Sequence, residues 1–412
     1  MTAPVAVNWA GNIAFQAVRL VHPRSVDELC SVVVASDRVR ALGTGHSFSA
    51  LADTSGTLVQ LGQLPPIFDL DESASTVAVS AGLKYADIVG PLQAAGFALA
   101  SMASLPHITV AGSVATGTHG SGDTVRNLAA AVVGLRLVTA TGDIVDVSTV
   151  DLPGAVVSLG ALGIVTELTL AVEPAFTVAQ EVRLDVPLDE VAKEWDDVFG
   201  AAYSVSVFTT YASGLGSVFL KRRLDGPPGT GWSGGRPADR IVHPVPGGDL
   251  SACTPQLGVP GPWHERLPHF RPDLVPSAGD ELQSEFFVPR SAAPQALAAL
   301  RGIGDVVAPV LHISELRTIK GDDLWLSPAS GRDSVAFHFT WIRDVDAVLP
   351  AVAAVERVLL PFDARPHWGK ITNTPPSDII AMYPRAGDFR ALRRRLDPTG
   401  TFANFLTSAL FD

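Results

Sequence analysis

The chain has 412 residues, of which 47% are hydrophobic and 17% are charged. This composition excludes intrinsic disorder, and the length suits two domains better than one simple core. Lysine and arginine together number 30 against 42 acidic residues, a formal net charge of −12, so general nucleic-acid binding is not expected. The two cysteines exclude a disulfide scaffold and a thiolate zinc site.

The first nine residues lack a basic start followed by an apolar core, so no secretory signal is predicted. The most apolar stretch, residues 152–166, contains several glycines and is shorter than the roughly 20 residues that span a bilayer. We therefore expect a soluble, cytoplasmic protein without a membrane segment.

Residues 1–175 have the pattern of an α+β unit. Ser25 and Glu28 form a capping-box pattern that predicts the start of a helix. A short strand over residues 39–42 ends in a glycine-rich turn. The other predicted elements are a strand at 75–80, a helix at 85–95, a hairpin of 135–139 with 144–147, and a strand at 164–172.

The pattern changes near residue 175. Residues 225–279 are rich in proline and glycine, and a stretch of that length is usually functional or a packed insertion. The elements predicted around it are helices at 189–199, 345–360 and 388–396, and strands at 205–210, 216–220, 281–289, 310–318 and 335–342.

Two glycine-rich segments lie in the first half. The turn at residues 43–47 would need a glycine at position 48 for a dinucleotide fingerprint, and that residue is Phe48. The segment at 112–122 lacks the lysine of a P-loop, but its N–H groups can form an anion-binding nest. Taken alone, the first segment is equally explained as a tight turn, and for the second a plain connector is the favoured explanation. Together they favour a nucleotide cofactor without naming it.

Three predicted strands of the second half each carry two polar residues at a spacing of two, which places each pair on one strand face. If the strands are neighbours, they form what we call the polar wall: Gln283, Glu285, Glu315, Arg317, His338 and Thr340. A solvated sheet face is the alternative. Nearby aromatic residues favour a functional wall, and we expect them to surround it: Phe286, Phe287, Phe337, Phe339 and Trp341.

These segments resemble a known flavoprotein family. Residues 43–47, 101–107 and 112–120 are similar to the flavin domain of the vanillyl-alcohol oxidase family. Other segments resemble its aldonolactone and alditol oxidase branch, and the opening at 8–12 with the run at 261–268 resembles its alditol oxidases. The segments of the branch are 281–285, 315–317, 338–340, 367–370 and 397–400.

The resemblance implies an α+β fold with a two-part FAD-binding domain (1–175) and a cap domain (176–360) built on a large antiparallel sheet flanked by helices. A C-terminal segment (361–412) would contribute Lys370 and pack back on the FAD domain. It further implies FAD bonded covalently through the ring of His46 to the flavin 8α-methyl carbon. Neither cysteine lies in a motif for a second bond. One departure is the tract 123–127, where a more glycine-rich continuation is expected.

The cofactor-binding residues implied by the resemblance are Ala41, Leu42, Gly43, Thr44, Gly45, His46, Ser47, Ser104, Thr109, Gly112, Thr116, Gly117, Thr118, His119, Val165 and His367. The implied substrate-binding residues are Ser104, Gln283, Glu315, Arg317, Thr340 and Lys370. The implied catalytic residues are Lys370, His338, Arg317 and Glu315, with His338 and Lys370 both candidates for the proton acceptor. No metal is expected.

The activity that the resemblance implies is oxidation of the terminal hydroxyl of a polyol such as xylitol or sorbitol. A hydride would pass to flavin N5, and oxygen would reoxidise the flavin and yield hydrogen peroxide. The partners are then a small polyol and O2, and we expect a monomer. The alternatives are a sugar-1,4-lactone oxidase or dehydrogenase of the same branch, and a polyol- or nucleotide-binding protein without turnover.

Overall fold

A computed structural model describes residues 5–274 and 279–412. Helices and sheets are mixed throughout, so the predicted α+β class is confirmed. The strands are β1 (Arg19–Val21), β2 (Val39–Ala41), β3 (Thr57–Val59), β4 (Phe68–Asp71), β5 (Thr76–Ser80), β6 (Phe97–Ala98), β7 (Val132–Val138), β8 (Ile144–Asp146), β9 (Ile164–Ala171), β10 (Glu173–Pro174), β11 (Thr177–Pro187), β12 (Ser204–Thr209), β13 (Leu215–Arg223), β14 (Arg236–Pro237), β15 (Gly261–Pro262), β16 (Glu281–Pro289), β17 (Leu311–Ile319), β18 (Ser334–Ile342) and β19 (Arg365–Pro366). The α-helices are α1 (Val26–Val34), α2 (Tyr85–Ala94), α3 (Val110–Ala115), α4 (Leu152–Ala155), α5 (Leu188–Lys193), α6 (Trp195–Phe199), α7 (Ala293–Arg301), α8 (Gly304–Val307), α9 (Val345–Leu359), α10 (Pro376–Ala381), α11 (Ala386–Leu396) and α12 (Phe405–Phe411).

The first half of the chain contains two main sheets. One is parallel, with the strand order β1-β3-β2, and the other is antiparallel, with the order β4-β5-β9-β7-β8. Helix α1 begins as the capping pattern predicts, because the Ser25 hydroxyl accepts a hydrogen bond from the N–H of Glu28. Apolar residues of α1, α2 and both sheets form one core.

The second half is built on an antiparallel sheet of nine strands. Its order is β14-β11-β13-β12-β17-β18-β16-β19, and β15 also pairs with β11. In the central strands Glu285 lies opposite His338, and His338 lies opposite Glu315 on its other side. Paired residues of neighbouring strands project to the same face, so this register aligns polar side chains across three strands.

The opposite face of this sheet is apolar and is covered by helices. Phe286, Phe337, Phe339 and Trp341 lie there in the second core with residues of α5, α7 and α9. The expectation that they surround the polar wall was therefore wrong for these four, because alternation along a strand sends them to the other face. Phe287 alone of the five lies on the wall side, with its ring centroid 5.0 Å from that of His119.

The C-terminal residues join the core of the first half. Phe389, Phe402 and Phe411 are buried there with Leu29 and Val39. The boundaries at residues 175 and 360 stay predictions. Within the described part of the chain, every helix is too short or too polar to cross a membrane.

Local predictions failed at several places, three of which bear on the site or the large sheet. The helix at 189–199 is two helices that meet at Glu194, whose backbone (φ −107°, ψ 34°) is not helical. The eleven-residue strand β11 was missed. Residues 112–115 of the second glycine-rich segment belong to helix α3, so the loop itself begins at Thr116.

The proline- and glycine-rich region is a packed insertion over the residues that are described; residues 275–278 of it lie outside them. Its Val242 and Val245 pack against Phe208 and Phe219 of the large sheet. The side chain of Gln180 donates to Thr254 at 3.3 Å. The insertion therefore covers the end of the sheet that carries β11, β13 and β12.

Candidate active site

A groove of about 730 Å³ runs between the glycine-rich segments of the first half and the polar wall of the large sheet. This volume is within the range of small-molecule and cofactor sites. The predicted site residues that line it are Ala41, Leu42, Gly43, Thr44, Gly45, His46, Ser47, Ser104, Thr109, Gly112, Thr116, Thr118, His119, Val165, Gln283, Glu315, Arg317, His338, Thr340, His367 and Lys370. Gly117 is not part of this lining; a Cβ there would meet Pro328 at 2.9 Å.

The turn that carries His46 is braced by the N-terminal segment. The ring of Trp9 stacks on the imidazole of His46, with centroids 4.9 Å apart. The backbone N–H of Trp9 donates to the carbonyl of Gly45 at 2.8 Å, and Gly45 has φ +71°, which favours glycine. Nδ1 of His46 lies 3.0 Å from the hydroxyl of Thr44. Burial lowers the pKa of His46 to about 4, so the ring is neutral at pH 7.

Backbone hydrogen bonds connect this turn to Lys370. The N–H of Phe48 donates to the carbonyl of Gly369 at 2.7 Å. On the other side of Lys370, the N–H of Ile371 donates to the carbonyl of Gln283 at 2.9 Å. The segment that carries Lys370 is therefore fixed at both ends, to the His46 turn on one side and to strand β16 on the other.

The second glycine-rich segment docks on strand β17. The N–H of Gly122 donates to the carbonyl of Thr318 at 2.9 Å. Both ring nitrogens of His119 face acceptors: Nδ1 lies 2.8 Å from the carbonyl oxygen of Gly120 and Nε2 lies 3.0 Å from a carboxylate oxygen of Glu285. Each ring nitrogen of this buried imidazole therefore has a hydrogen-bond partner.

Arg317 lies between two buried carboxylates of the polar wall. Its Nη2 donates to Glu285 at 2.8 Å, and its Nε lies 3.5 Å from Glu315. Burial alone would raise the pKa of Glu285, but the charges of His119 and Arg317 outweigh it and leave that pKa well below its usual value. Burial would also raise the pKa of Glu315, but Arg317 and His269 outweigh burial and lower that pKa. Both carboxylates are therefore ionised.

Lys370, His338 and Gln283 form a second cluster on the wall. Nζ of Lys370 donates to the side-chain oxygen of Gln283 and lies 3.0 Å from Nε2 of His338. Burial, followed by the charge of Lys370, lowers the pKa of His338 well below its usual value. Burial also lowers the pKa of Lys370. The resting cluster thus contains a neutral imidazole and an amine whose proton is held less tightly than that of a solvated lysine.

The groove fits an anionic dinucleotide. The buried guanidinium of Arg40 lines it and donates to backbone carbonyls of Leu51, Leu159, Gly160 and Phe402. These acceptors are neutral, and Arg393 and Asp397 act on the pKa of Arg40 in opposite directions, so a positive charge at this end of the groove favours a bound diphosphate. Glycine is required at position 43, where a Cβ would lie 2.4 Å from the hydroxyl of Thr109.

Sequence reasoning did not assign a site role to four residues near the wall. Glu285 was placed in the wall but not among the functional residues, and Glu281 accepts from Gln283 at 2.5 Å. His269 and Lys221 continue the hydrogen-bonded network on the far side of Glu315. Lys221 had one local signal, a charged residue directly after the apolar run of β13. His269 had none, because its contact with Glu315 spans 46 residues.

Comparison with known proteins gives consistent results. A family model described as an FAD binding domain matches residues 17–148, and one described as D-arabinono-1,4-lactone oxidase matches residues 280–409. The chain is 50% identical over 412 residues to an alditol oxidase of Streptomyces sp. (strain IKD472 / FERM P-14339), which covers 98% of each chain. It is 29% identical to an L-gulono-1,4-lactone dehydrogenase of Mycobacterium tuberculosis, again over 98% of each chain.

A solved structure, a solvent-stable cholesterol oxidase, matches with a TM-score of 0.79 and 15% identity, covering 98% of this chain and 97% of that chain. At that identity the likeness shows the fold alone. It confirms the predicted architecture of an FAD-binding part and a part built on a large antiparallel sheet.

The match to an FAD binding domain and the alditol oxidase relative define a flavoprotein oxidase. Within that class, the chain belongs to the alditol oxidase family. The predicted enzyme class and the FAD cofactor are confirmed, and the alternative of a binding protein without turnover is set aside. Within residues 5–274 and 279–412 there is no group of three His, Cys, Asp or Glu side chains that could hold a metal ion.

The charge balance of the wall can be tested through stability. Glu285→Ala leaves the buried groups of Arg317 and His119 without their carboxylate, and we expect a loss of about 3–5 kcal/mol in the free energy of unfolding. Urea unfolding of the holoenzyme measures it. The control is Glu181→Ala, which removes a half-exposed partner of Arg222 and should cost less than about 1 kcal/mol. Equal losses in the two variants would contradict this account.

Proposed function

We propose that the protein oxidises the terminal hydroxyl of polyols such as xylitol and sorbitol to the aldehyde, with O2 as the electron acceptor and hydrogen peroxide as the second product. The polar wall carries this proposal, since it lines the groove with an amide, an imidazole, a hydroxyl and charges of both signs. The 50% identity to an alditol oxidase supports it.

The wall suits a neutral molecule that carries several hydroxyl groups. Each substrate hydroxyl is both a donor and an acceptor. The carboxylate of Glu315 accepts, the guanidinium of Arg317 donates, and Gln283 and Thr340 can do either. Ser104 faces them across the groove. A substrate that lacks one of these hydroxyls would leave a buried group unpaired, which gives the pocket its selectivity.

We assign the charge stabilisation of the reaction to Arg317 and Lys370. Oxidation of an alcohol requires loss of the hydroxyl proton, and a nearby cation stabilises the developing alkoxide. The cluster of Lys370 and His338 receives that proton in our proposal. In its neutral form Lys370 is the better acceptor, because burial lowers the pKa of His338 so far that the ring holds a proton weakly. Taking the proton makes Lys370 the second cation beside the alkoxide.

Bound FAD would supply the redox chemistry, accepting the hydride and passing electrons to oxygen. The residues that would hold it are the turn at 41–47 and the residues Thr109, Gly112, Thr116 and Thr118. We propose that His46 carries the covalent bond to the flavin 8α-methyl carbon. The neutral ring of His46 supports this, because a ring nitrogen must have a free lone pair to form such a bond.

A sugar-1,4-lactone is the second candidate substrate. The match of residues 280–409 to the D-arabinono-1,4-lactone oxidase model favours it, because this range contains the whole polar wall and Lys370. We propose the domain boundaries given above, a monomer and a cytoplasmic location on the sequence evidence alone.

The substrate class can be decided by peroxide production. The purified holoenzyme should release peroxide with xylitol and sorbitol at a kcat/KM at least about tenfold above that with L-gulono-1,4-lactone, since the open-chain hydroxyls pair with the wall. The control is a heat-inactivated sample. A higher value with the lactone would overturn the polyol proposal in favour of the second candidate.

Covalent attachment can be tested on a denaturing gel. The native protein should give a flavin-fluorescent band at the position of the 43.1 kDa chain, and His46→Ala should lose it because the bonding nitrogen is gone. His22→Ala is the control, as it removes another histidine that lines the groove and should keep the band. Fluorescence that persists in His46→Ala would place the attachment elsewhere.

The role of Lys370 can be tested by turnover. Lys370→Ala removes a charge at the reacting end of the pocket, and we expect kcat to fall by about a hundredfold with unchanged flavin content. Lys320→Ala, which removes a half-exposed lysine paired with Asp333, should leave kcat unchanged. A Lys370→Ala variant within threefold of the native kcat would remove this residue from the mechanism.

A further inference from the structure

Three buried side chains, Lys221, His269 and Glu315, form a hydrogen-bonded row. The row begins in the polar wall at Glu315 and extends away from Arg317. Nζ of Lys221 is 3.3 Å from Nδ1 of His269, and Nε2 of the same ring is 2.9 Å from a carboxylate oxygen of Glu315. Their residue exposures are 2%, 6% and 5%. Lys221 comes from strand β13, His269 from the proline- and glycine-rich insertion, and Glu315 from β17. The row therefore connects three separate parts of the second half.

The contacts determine where the ring protons lie. Burial lowers the pKa of Lys221 to about 7; below that pH it is an ammonium with donors only, so Nδ1 of His269 is the acceptor in that contact. The proton of the neutral ring is then on Nε2, which points it at Glu315. Burial, followed by the charge of Lys221, lowers the pKa of His269 to about 4, which is consistent with a neutral ring.

Lys221 is itself well held. Its ammonium donates to the carbonyl of Leu267 at 2.5 Å, and it lines a polar cavity of about 10 Å³ together with Ser101 and Ser204. A cavity of that size has room for about one water molecule, which can accept a third hydrogen bond. Lys221 also supplies the positive charge at this end of the wall, since Arg317 is shared between two carboxylates.

We propose that His269 is a positioning residue for Glu315, and that Lys221 acts through it by holding the ring in the tautomer that donates to the carboxylate. One carboxylate oxygen of Glu315 accepts a hydrogen bond from His269, and the carboxylate lies beside Arg317. Its remaining lone pairs therefore face a substrate hydroxyl in a fixed direction. This inference rests on the proposed substrate-binding role of Glu315. It gives the insertion a function in substrate recognition beyond covering the sheet.

The first experiment compares His269→Leu with His269→Gln in the holoenzyme. Leucine keeps much of the volume but has no donor, whereas the glutamine amide can donate to Glu315. We expect His269→Leu to raise the KM for xylitol by about tenfold or more, the size of a lost hydrogen bond to a charged group, with kcat within about threefold of the native value. His269→Gln should recover a KM within about threefold of the native enzyme.

His312→Gln is the matched control, since it removes an exposed histidine of the same strand as Glu315 and should leave both constants unchanged. Flavin absorbance per chain shows that each variant is folded and loaded. A native KM in His269→Leu, or equal KM values in the leucine and glutamine variants, would overturn the positioning role. If L-gulono-1,4-lactone is the better substrate of the native enzyme, the polyol proposal fails. The His269 variants are then compared with the lactone as substrate, so the positioning role is still tested separately.

The second experiment tests Lys221 through Lys221→Met. The charged groups that face His269 are Lys221 from β13 with Glu315 and Arg317 from β17, and Ser206 of β12 is a neutral neighbour. Burial is the first cause of the lowered pKa of His269, so the ring stays neutral at pH 6 without Lys221. It is then free to put its proton on Nδ1 and stop donating to Glu315.

Lys221→Met should therefore raise the KM for xylitol by about threefold or more at pH 6, where the native lysine carries its charge, with kcat within about threefold of the native value. Lys221→Arg keeps a charged donor and should recover a KM near that of the native enzyme; equal KM values in the methionine and arginine variants would contradict the role of Lys221.

Discussion

The structure of the site depends on one buried guanidinium. Arg317 has ionised carboxylates on both sides, Glu285 at 2.8 Å and Glu315 at 3.5 Å. Ion pairs removed from water are stable only when each charge is matched and hydrogen-bonded. A histidine on the outer side of each carboxylate adds a hydrogen bond to it, His119 to Glu285 and His269 to Glu315, while Nε of Arg317 faces Glu315 at ion-pair distance without a hydrogen bond. The groups that we assign to the substrate are thus fixed before any substrate binds.

This arrangement requires both halves of the chain. His119 comes from the glycine-rich segment of the first half, and Arg317 from the large sheet. The hydrogen bond from Phe48 to Gly369 joins the turn of His46 to the segment of Lys370. Because these two contacts lie at the groove, a shift of one half relative to the other would alter the cofactor end and the substrate end of the site together.

Much of the fold and of the site was accessible from the sequence. Alternation in β16, β17 and β18 correctly placed Gln283, Glu315 and His338 on one face, and the glycine-rich segments were correctly located at one groove. The family resemblance connected them to FAD. Local patterns failed where they were weak: the break at Glu194 has no proline or glycine to announce it, and the aromatic residues of the same strands were assigned to the wrong face.

The amino-acid order alone determined which side chains share a strand face, because that depends only on a repeat of two along the backbone. It also determined where the backbone can turn closely, as at Gly45. Only the tertiary structure decided which faces meet. Lys221, His269 and Glu315 are separated by 48 and 46 residues, and no local pattern encodes a contact made by the path of an irregular insertion. The protonation of His269, and hence the orientation of Glu315, follows from that contact.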